Sequence, residues 1–288
     1  MWKATRENFL YMIISNREND VQESSESVKT MNYFIEGLQG SGKSTLAGKL
    51  SALHPEYTAI REGDYSPVEL AWCAYLSESQ YAEILAQYHD LRSEIMEQTF
   101  SEGDKRIVCY TKIRTDNTAF YQNMESHEIY NNRVSYEKFK EIVLSRFRAW
   151  WEDGMIFECS LFQNIVEDLI LFRCASDEEI INFYRQIREA LVSREYRIFY
   201  LKTDNIKGNI DIIRKERSDQ QGNELWFPAM LGYFNESPYA KANGISGEAA
   251  LIGHFLHRQR LELRICEEVF QGRYAVLPSK NYTDGDWK

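Results

Sequence analysis

Short apolar runs alternate with amphipathic segments along most of this chain. The runs predict strands that are buried on both faces, as in a parallel sheet covered by helices. They cover residues 32–36, 57–61, 106–110, 154–160, 197–201 and 274–278. Apolar residues at helical spacing lie between them, in 43–53, 77–103, 135–151, 161–172, 176–191, 206–217 and 247–270. This alternation predicts an α/β fold with helices on both faces of a mainly parallel sheet.

Three stretches lack a clear period. Residues 111–132 mix polar and aromatic side chains, which predicts irregular structure. Residues 219–247 predict a long loop, because six glycines and prolines interrupt them. Residues 1–30 end in a polar stretch, so we expect an N-terminal extension outside the core, with one folded domain over 31–288.

A glycine-rich loop joins the first predicted strand to the first predicted helix. Its sequence, Gly37-Leu-Gln-Gly-Ser-Gly-Lys-Ser-Thr45, fits the pattern G-x-x-x-x-G-K-[ST]. Glycines let the backbone approach an anion, and successive N–H groups at the helix N-terminus then point toward that anion. Strand, glycine loop and helix is the context that the motif requires, so the sequence predicts a phosphate-binding loop.

The motif also predicts what each residue of the loop does. Lys43 is expected to reach the β- and γ-phosphates of a nucleotide, and the Ser44 hydroxyl to ligate Mg²⁺. ATP and Mg²⁺ are therefore the predicted cofactors. The predicted nucleotide-binding residues are Gly37, Gly40, Ser41, Gly42, Lys43, Ser44 and Thr45.

Charge and composition exclude several classes of partner. The net charge is −10 and no Lys/Arg-rich run is present, which argues against a nucleic-acid or anionic-membrane surface. No apolar stretch is long enough to cross a bilayer, and the N-terminus lacks the apolar core of a secretory signal. Five cysteines without C-x-x-C spacing suit a reducing cytosol, so we expect a cytoplasmic protein. These features do not decide whether the protein is a monomer or a homodimer.

The motif alone does not choose among nucleotide-binding classes, but other segments do. The guanine-reading motif N-K-x-D of GTPases is absent, and no predicted strand ends in Asp-Glu as in ABC or AAA ATPases. With these classes excluded, the sequence resembles the small-molecule kinases, in particular thymidylate and deoxynucleoside kinases. Residues 200–203, followed by Arg214 and Arg217, resemble the strand and lid helix of those enzymes. Glu158-Cys159-Ser160 stands where deoxynucleoside kinases have Glu-Arg-Ser, with cysteine replacing the arginine.

The resemblance implies the three-layer P-loop NTPase fold, with helical insertions around the substrate. Residues 113–150 would form the insertion on the acceptor side, and residues 214–247 would form the lid. Arginines of the lid helix close on the phosphates in this family. Arg214 and Arg217 lie three apart and would share a helical face, so both are candidates for stabilising the transferred phosphoryl group.

Three carboxylates are candidates for the chemistry. Ligands of open α/β sheets bind outside the carboxyl ends of the strands, so we expect Glu158, Glu62 and Asp64 in one crevice. Glu158 is the candidate for holding Mg²⁺ beside Ser44, through a metal-bound water. Asp64 is the first choice for the base that orients the acceptor hydroxyl, with Glu62 close behind. Two residues apart on an extended segment, one of these two could be the base and the other a substrate ligand.

These features predict an ATP-dependent phosphotransferase that acts on a hydroxyl group of a small molecule, such as a nucleoside, a sugar or an antibiotic-like compound. The first alternative is a nucleoside monophosphate kinase, for which Arg114 and Arg133 could bind the acceptor phosphate. The second alternative, from a different class, is a nucleotide-binding regulator or toxin-like protein without a small acceptor. It would bind nucleotide but transfer nothing.

Overall fold

The computed structural model describes residues 30–219, 221–280, 282–283 and 285. The expected N-terminal extension lies outside the described residues, apart from Thr30. Met31–Lys288 forms one compact unit. No helix of the described residues is long and apolar enough to span a membrane.

The strands and helices largely follow the predicted alternation. The strands are β1 (Asn32–Gly37), β2 (Thr58–Ile60), β3 (Ala74–Ser77), β4 (Thr99–Glu102), β5 (Lys105–Val108), β6 (Met155–Glu158), β7 (Tyr196–Lys202) and β8 (Tyr274–Pro278). The helices are α1 (Lys43–Leu53), α2 (Glu78–Gln87), α3 (Arg92–Glu97), α4 (Thr118–Ser126), α5 (Tyr136–Ala149), α6 (Gln163–Leu171), α7 (Asp177–Ala190), α8 (Ile206–Glu216), α9 (Trp226–Glu236), α10 (Pro238–Asn243) and α11 (Gly247–Glu268).

The central sheet is parallel throughout and has the strand order β2-β6-β1-β7-β8. Successive residues of β1 point to opposite faces, so Ile35 packs with α1 on one face and Phe34 packs with α5, α6, α7 and α11 on the other. The predicted α/β architecture, with a mainly parallel sheet flanked by helices, is confirmed.

This topology creates a crevice at one end of the sheet. The neighbouring strands β1 and β6 are followed by helices on opposite faces, α1 on one and α6 on the other. Chains that leave adjacent parallel strands in opposite directions open a gap at the carboxyl ends of those strands. Gly37 ends β1 and Glu158 ends β6, so the glycine loop and this carboxylate meet at the gap.

A second, antiparallel sheet has the order β3-β5-β4 and lies in the insertion between β2 and β6. With α2, α3 and α4 it encloses a small separate core around Ile95, Val108 and Phe120. The long helix predicted over 77–103 is therefore wrong in its second half, because the chain breaks into two helices and then forms β4. The strand predicted over 106–110 exists as β5, but it belongs to this smaller sheet.

Two predicted irregular stretches contain helices. Residues 111–132 include α4, which begins after Asn117, whose side chain accepts a hydrogen bond from Phe120 N. Residues 219–247 contain α9 and α10, so the long loop predicted there is wrong. Capping boxes at Ser77 and Ser176 begin α2 and α7.

Candidate functional site

The loop after β1 has a backbone that only glycines can follow. Gly37, Gly40 and Gly42 have φ of 136°, 70° and 96°, in the region that disfavours side chains. A Cβ atom at Gly37 would lie 2.6 Å from the Leu201 carbonyl oxygen, and one at Gly40 would lie 2.5 Å from Ile213 Cδ1. The glycines therefore serve both the curvature of the loop and its close packing against β7 and α8.

Helix α1 begins at this loop with its first N–H groups free of a side-chain cap. Gly42 is the N-cap residue, and the first turn of α1 contains no acidic side chain. The first N–H groups of a helix lack acceptors within the helix, and its dipole adds positive potential there. The start of α1 is thus arranged to receive an anion.

Lys43 is bent back over the loop. Its side chain is 7% exposed, and Nζ donates to the carbonyl oxygens of Gly37 and Leu38, both at 2.9 Å. Ser41 Oγ is buried and has no hydrogen-bond partner among the described residues. An anion in the loop could therefore replace the two carbonyl oxygens as the partner of Lys43 and supply the missing partner of Ser41.

Gln39 is held by two helices that are far away in the sequence. Asn209 Nδ2 of α8 donates to the Gln39 carbonyl at 2.7 Å, and Arg258 Nη2 of α11 donates to Gln39 Oε1 at 2.8 Å. Arg258 is fully buried and also pairs with Glu167 and Glu262. These contacts fix the shape of the loop, and nothing local in the sequence indicates them.

Ser44 and Glu158 form the predicted hydroxyl–carboxylate pair. Ser44 Oγ donates to Glu158 Oε1, and Arg61 Nη1 lies 3.5 Å from Glu158 Oε2. No group of three or more His, Cys, Asp or Glu side chains in the described part of the chain could hold a metal by itself. Mg²⁺ commonly takes one or two protein oxygens and completes its shell with phosphate and water, so this pair fits Mg²⁺ brought with a nucleotide.

The loop opens into a cavity of about 770 Å³. Its walls come from the loop, the end of β2, the insertion, α6, α8, α9 and the segment after β8. They include Gln39, Gly40, Gly42, Lys43, Ser44, Thr45, Glu62, Trp72, Glu125, Glu128, Tyr130, Asn131, Glu158, Gln163, Asn164, Glu167, Ile213, Glu216, Arg217, Trp226, Met230, Tyr233 and Lys280.

The structure separates the two candidate bases. Glu62 lines the cavity, where Oε1 accepts from Trp72 Nε1 at 3.2 Å and from Gln163 Nε2 at 3.0 Å. Asp64 does not line the cavity: it accepts from Arg61 N at 2.7 Å and pairs with Lys112 at 2.5 Å. The segment is a turn with Gly63 at φ 84°, which is why the two carboxylates do not share a side as predicted.

The two candidate arginines also lie in different surroundings. Arg217 lines the cavity, and its guanidinium lies 5.6 Å from the centre of the Trp226 ring. Arg214 is absent from the cavity wall and pairs with Glu224 at 2.9 Å and Glu248 at 3.4 Å. The two arginines therefore do not act on one ligand in this conformation.

Several wall residues carried no clear signal in the sequence. Trp72 is 45% exposed and has φ of 64°, an uncommon backbone conformation for a bulky residue. Buried Glu69 holds its turn by accepting from Ala71 N and from Tyr130 Oη. Burial raises the pKa of Glu69 to about 7. The strained Trp72 backbone could not have been predicted, because no sequence pattern marks it.

Some aromatic and histidine side chains serve the core rather than the cavity. Tyr130 and Trp226 line the cavity, whereas Trp150 packs against Phe34 and Phe157 in the core. The ring nitrogens of His254 and His257 pair with separate carboxylates, Glu167 and Asp177.

Comparison with known proteins adds little to this geometry. The sequence matches no protein-family model and no curated protein. Among solved structures, one match comes from work on the PezAT chromosomal toxin-antitoxin system of Streptococcus pneumoniae. It has 9% sequence identity and a TM-score of 0.27, and the alignment covers 92% of this chain and 97% of that chain. A TM-score this low assigns neither a fold nor a function.

Proposed function

We propose that this protein is an ATP-dependent phosphotransferase that transfers the γ-phosphoryl group of ATP to a hydroxyl of a small molecule. The observation that carries the proposal is the loop of residues 37–45, which joins the phosphate-binding sequence to an uncapped helix start and opens into a large cavity. A site for phosphates alone would not need the rest of that cavity.

Positioning and charge neutralisation account for most of the catalysis of phosphoryl transfer. The N–H groups at the start of α1 and the Lys43 ammonium would hold the β- and γ-phosphates. Ser44 and Glu158 would hold Mg²⁺, which neutralises phosphate charge when it is bound. Arg217 is the cavity arginine available to stabilise charge on the transferred group.

Glu62 is the better-supported base. Its carboxylate faces the cavity and receives hydrogen bonds from two neutral donors, Trp72 and Gln163, which orient it without supplying a cation. It could accept the proton of the acceptor hydroxyl as the oxygen attacks phosphorus. Asp64 is engaged by Lys112 and the turn backbone, so the base role moves from Asp64 to Glu62 in this proposal.

The alternative of a nucleoside monophosphate kinase is less well supported. Such an enzyme needs cationic side chains at the acceptor phosphate. Arg133 pairs with Glu125 at 2.6 Å and with Glu128 at 3.3 Å, and neither Arg133 nor Arg114 lines the cavity. The alternative of a regulator without a small acceptor leaves the large cavity unexplained.

The proposal is tested by ATP consumption with a panel of hydroxylated small molecules. We expect Lys43→Ala to abolish turnover, because the phosphates lose their principal cation. Glu62→Gln is expected to lower kcat about 10²- to 10⁴-fold with ATP affinity retained, the usual contribution of a general base. Asp64→Asn is the matched control and should lower kcat much less. Normal turnover in Lys43→Ala, or slow hydrolysis that no compound stimulates, would contradict a kinase.

A further inference from the structure

The acceptor part of the cavity is strongly acidic. Six carboxylates line the whole cavity against three cationic side chains, Lys43, Arg217 and Lys280. Lys43 belongs to the loop, and Lys280 lies beside it, because a Cβ atom at Gly42 would be 3.7 Å from Lys280 Cγ. Two of the three cations are therefore placed to serve phosphates.

Away from the loop, carboxylates dominate the wall. Glu62, Glu125, Glu128 and Glu167 come from three separate parts of the chain and line this one cavity. Glu62 accepts hydrogen bonds from two uncharged groups, Trp72 Nε1 and Gln163 Nε2. Glu125 and Glu128 share Arg133, so the two carboxylates have one cation between them. Burial raises the pKa of Glu128 to about 7. Carboxylates still outnumber cations at this part of the wall, so an anionic acceptor would be repelled.

Helix α6 presents polar atoms that lack partners at the same wall. Glu167 is 6% exposed, and Oε2 receives Arg258 and His254, but Oε1 has no hydrogen-bond partner among the described residues. Burial by itself would raise the pKa of Glu167, yet Arg258 and His254 lower it to about 2, so the carboxylate is charged. Asn164 Nδ2, one turn earlier, also lacks a partner within the described part of the chain.

Buried polar atoms without partners are rare in folded proteins, so both atoms need a partner that the described residues do not supply. The free Glu167 oxygen is an acceptor, and the free Asn164 amide is a donor. A ligand that satisfies both must carry a donor and an acceptor, as any hydroxylated compound does, so the choice of an amine rests on the carboxylates of this wall. Trp72 and Trp226 also line this cavity, and aromatic rings can attract cations as well as cover apolar ring surfaces.

We infer that the acceptor is a cationic polyhydroxylated amine, of the amino-sugar type, rather than a neutral nucleoside or a phosphorylated compound. This inference rests on the proposed kinase function. The ammonium group would be held among Glu125, Glu128 and Glu167, and Asn164 would donate to a ring or hydroxyl oxygen. One hydroxyl of the acceptor attacks the γ-phosphorus of ATP, so that a new O–P bond forms, the bond to the β-phosphate oxygen breaks, ADP leaves and Glu62 receives the proton.

The experiment compares ligands that carry an ammonium group with related ligands that lack it. We would measure binding to the full chain, with a non-hydrolysable ATP analogue and Mg²⁺, by calorimetry. The probes are glucosamine and kanamycin as amines, their N-acetylated derivatives as neutral counterparts, and glucose 6-phosphate and thymidine monophosphate as anions. We expect at least one amine to bind at least about tenfold more tightly than its acetylated counterpart, and to stimulate ATP consumption.

A charge-removing variant tests the assigned wall. Glu125→Gln combined with Glu128→Gln leaves Arg133 without either of its carboxylate partners. We expect amine binding to weaken at least about tenfold, and binding of the anionic probes to strengthen. Glu189→Gln, an exposed carboxylate on α7 outside the cavity, is the matched control and should change neither. Affinity of the double variant for the ATP analogue reports that the fold and the loop are intact.

The outcomes separate this inference from the proposed function. Stimulation by neutral or anionic compounds but not by amines, or no amine binding at all, overturns the inference while the kinase proposal stands or falls on Lys43→Ala. Amine binding that survives the double variant unchanged also overturns it, because the ammonium would then lie elsewhere. Loss of ATP-analogue binding in the unmodified protein overturns the proposed function instead.

Discussion

The backbone at Gly40 lies closer to α8 than any side chain would permit. A Cβ atom there would overlap Ile213, and the φ of 70° adds about 1–2 kcal/mol for a residue with a side chain. We expect Gly40→Ala to displace the loop and weaken nucleotide binding at least about tenfold. Calorimetric titration with ATP and Mg²⁺ measures this loss.

Gly48 provides the control for that change, since it lies in α1 with no atom within 4 Å of an added Cβ. Alanine stabilises a helix interior by about 0.5–1 kcal/mol relative to glycine. Gly48→Ala should therefore raise Tm slightly and leave nucleotide affinity unchanged. Equal losses of binding in both variants would mean that the Gly40 contact has no special role.

Glu36 predicts a pH dependence of stability. It lies in β1, fully buried, and accepts from Leu161 N at 2.7 Å and Gln163 N at 3.3 Å. Burial raises the pKa of this carboxyl to about 8 from 4.5; nearby Glu262 adds to the rise, while the backbone donors and Lys43 oppose it. The folded state then binds the proton more tightly than the unfolded state.

Because the folded pKa lies above the unfolded one, the free energy of unfolding should fall as pH rises from about 4.5 to about 8. One such group changes the free energy of unfolding by at most about 1.4 kcal/mol per pH unit. Glu36→Gln removes it, so the difference in stability between variant and parent should shift in favour of the variant across this range. Urea denaturation at several pH values measures the difference, and parallel curves would show that Glu36 ionises normally.

The elements show which sequence signals were informative. Strand, loop and α1 were predictable because their pattern is local: an apolar run, a glycine motif and a helical period. The stretch 219–247 was not, because its glycines and prolines were interpreted as loop markers. In the structure Pro238 opens α10 after the Ser237 cap and Gly244 ends it, so these residues mark helix boundaries.

Some residues of the candidate site were likewise predictable from the sequence, and others were not. Lys43, Ser44 and Glu158 all line the cavity, and each was proposed from the motif or from the end of a strand. Arg217 also lines it, but it was proposed together with Arg214 from the resemblance to kinase lid helices. The sequence ranked Asp64 above Glu62 as the base, whereas Glu62 is the one that lines the cavity, because the direction of each side chain depends on one turn at Gly63. It also could not anticipate Arg258, which supports Gln39 from the other end of the chain.

The two arginines at the end of helix α8 are expected to have different roles. Its C-terminal turn sends Arg217 to the cavity and Arg214 to Glu224 and Glu248, with the Arg214 guanidinium 4.1 Å from the centre of the Phe227 ring. We expect Arg217→Ala to lower kcat about 10²-fold or more, because charge on the transferred group loses a partner. Arg214→Ala should instead lower Tm and leave kcat within about twofold.

Steady-state kinetics and thermal unfolding of both variants check this division. A large loss of kcat in Arg214→Ala at unchanged substrate affinity would indicate that α8 rotates during turnover and brings Arg214 to the phosphates. Equally small effects of both substitutions on kcat would show that neither arginine of α8 takes part in the reaction.

At the scale of the whole molecule, the cavity links parts of the chain that are distant in sequence. Its wall runs from Gln39 to Lys280 and draws on the central sheet, the insertion with the antiparallel sheet, and the helices after β7. A ligand bound there contacts segments that must all be folded together. Nucleotide should therefore stabilise the unit as a whole against unfolding, rather than one segment of it.

Mass action sets the size of this stabilisation. A ligand at 100 times its Kd adds about 2.7 kcal/mol, which corresponds to a rise in Tm of about 5–10 °C for a domain of this size. We expect ATP analogue with Mg²⁺ to raise the Tm of the parent by this amount and to leave that of Lys43→Ala nearly unchanged. Differential scanning calorimetry should show one transition moving as a unit. If part of the unfolding stayed at its original temperature, the elements around the cavity would not be coupled through the ligand, and the loop would bind phosphate without engaging the remaining walls.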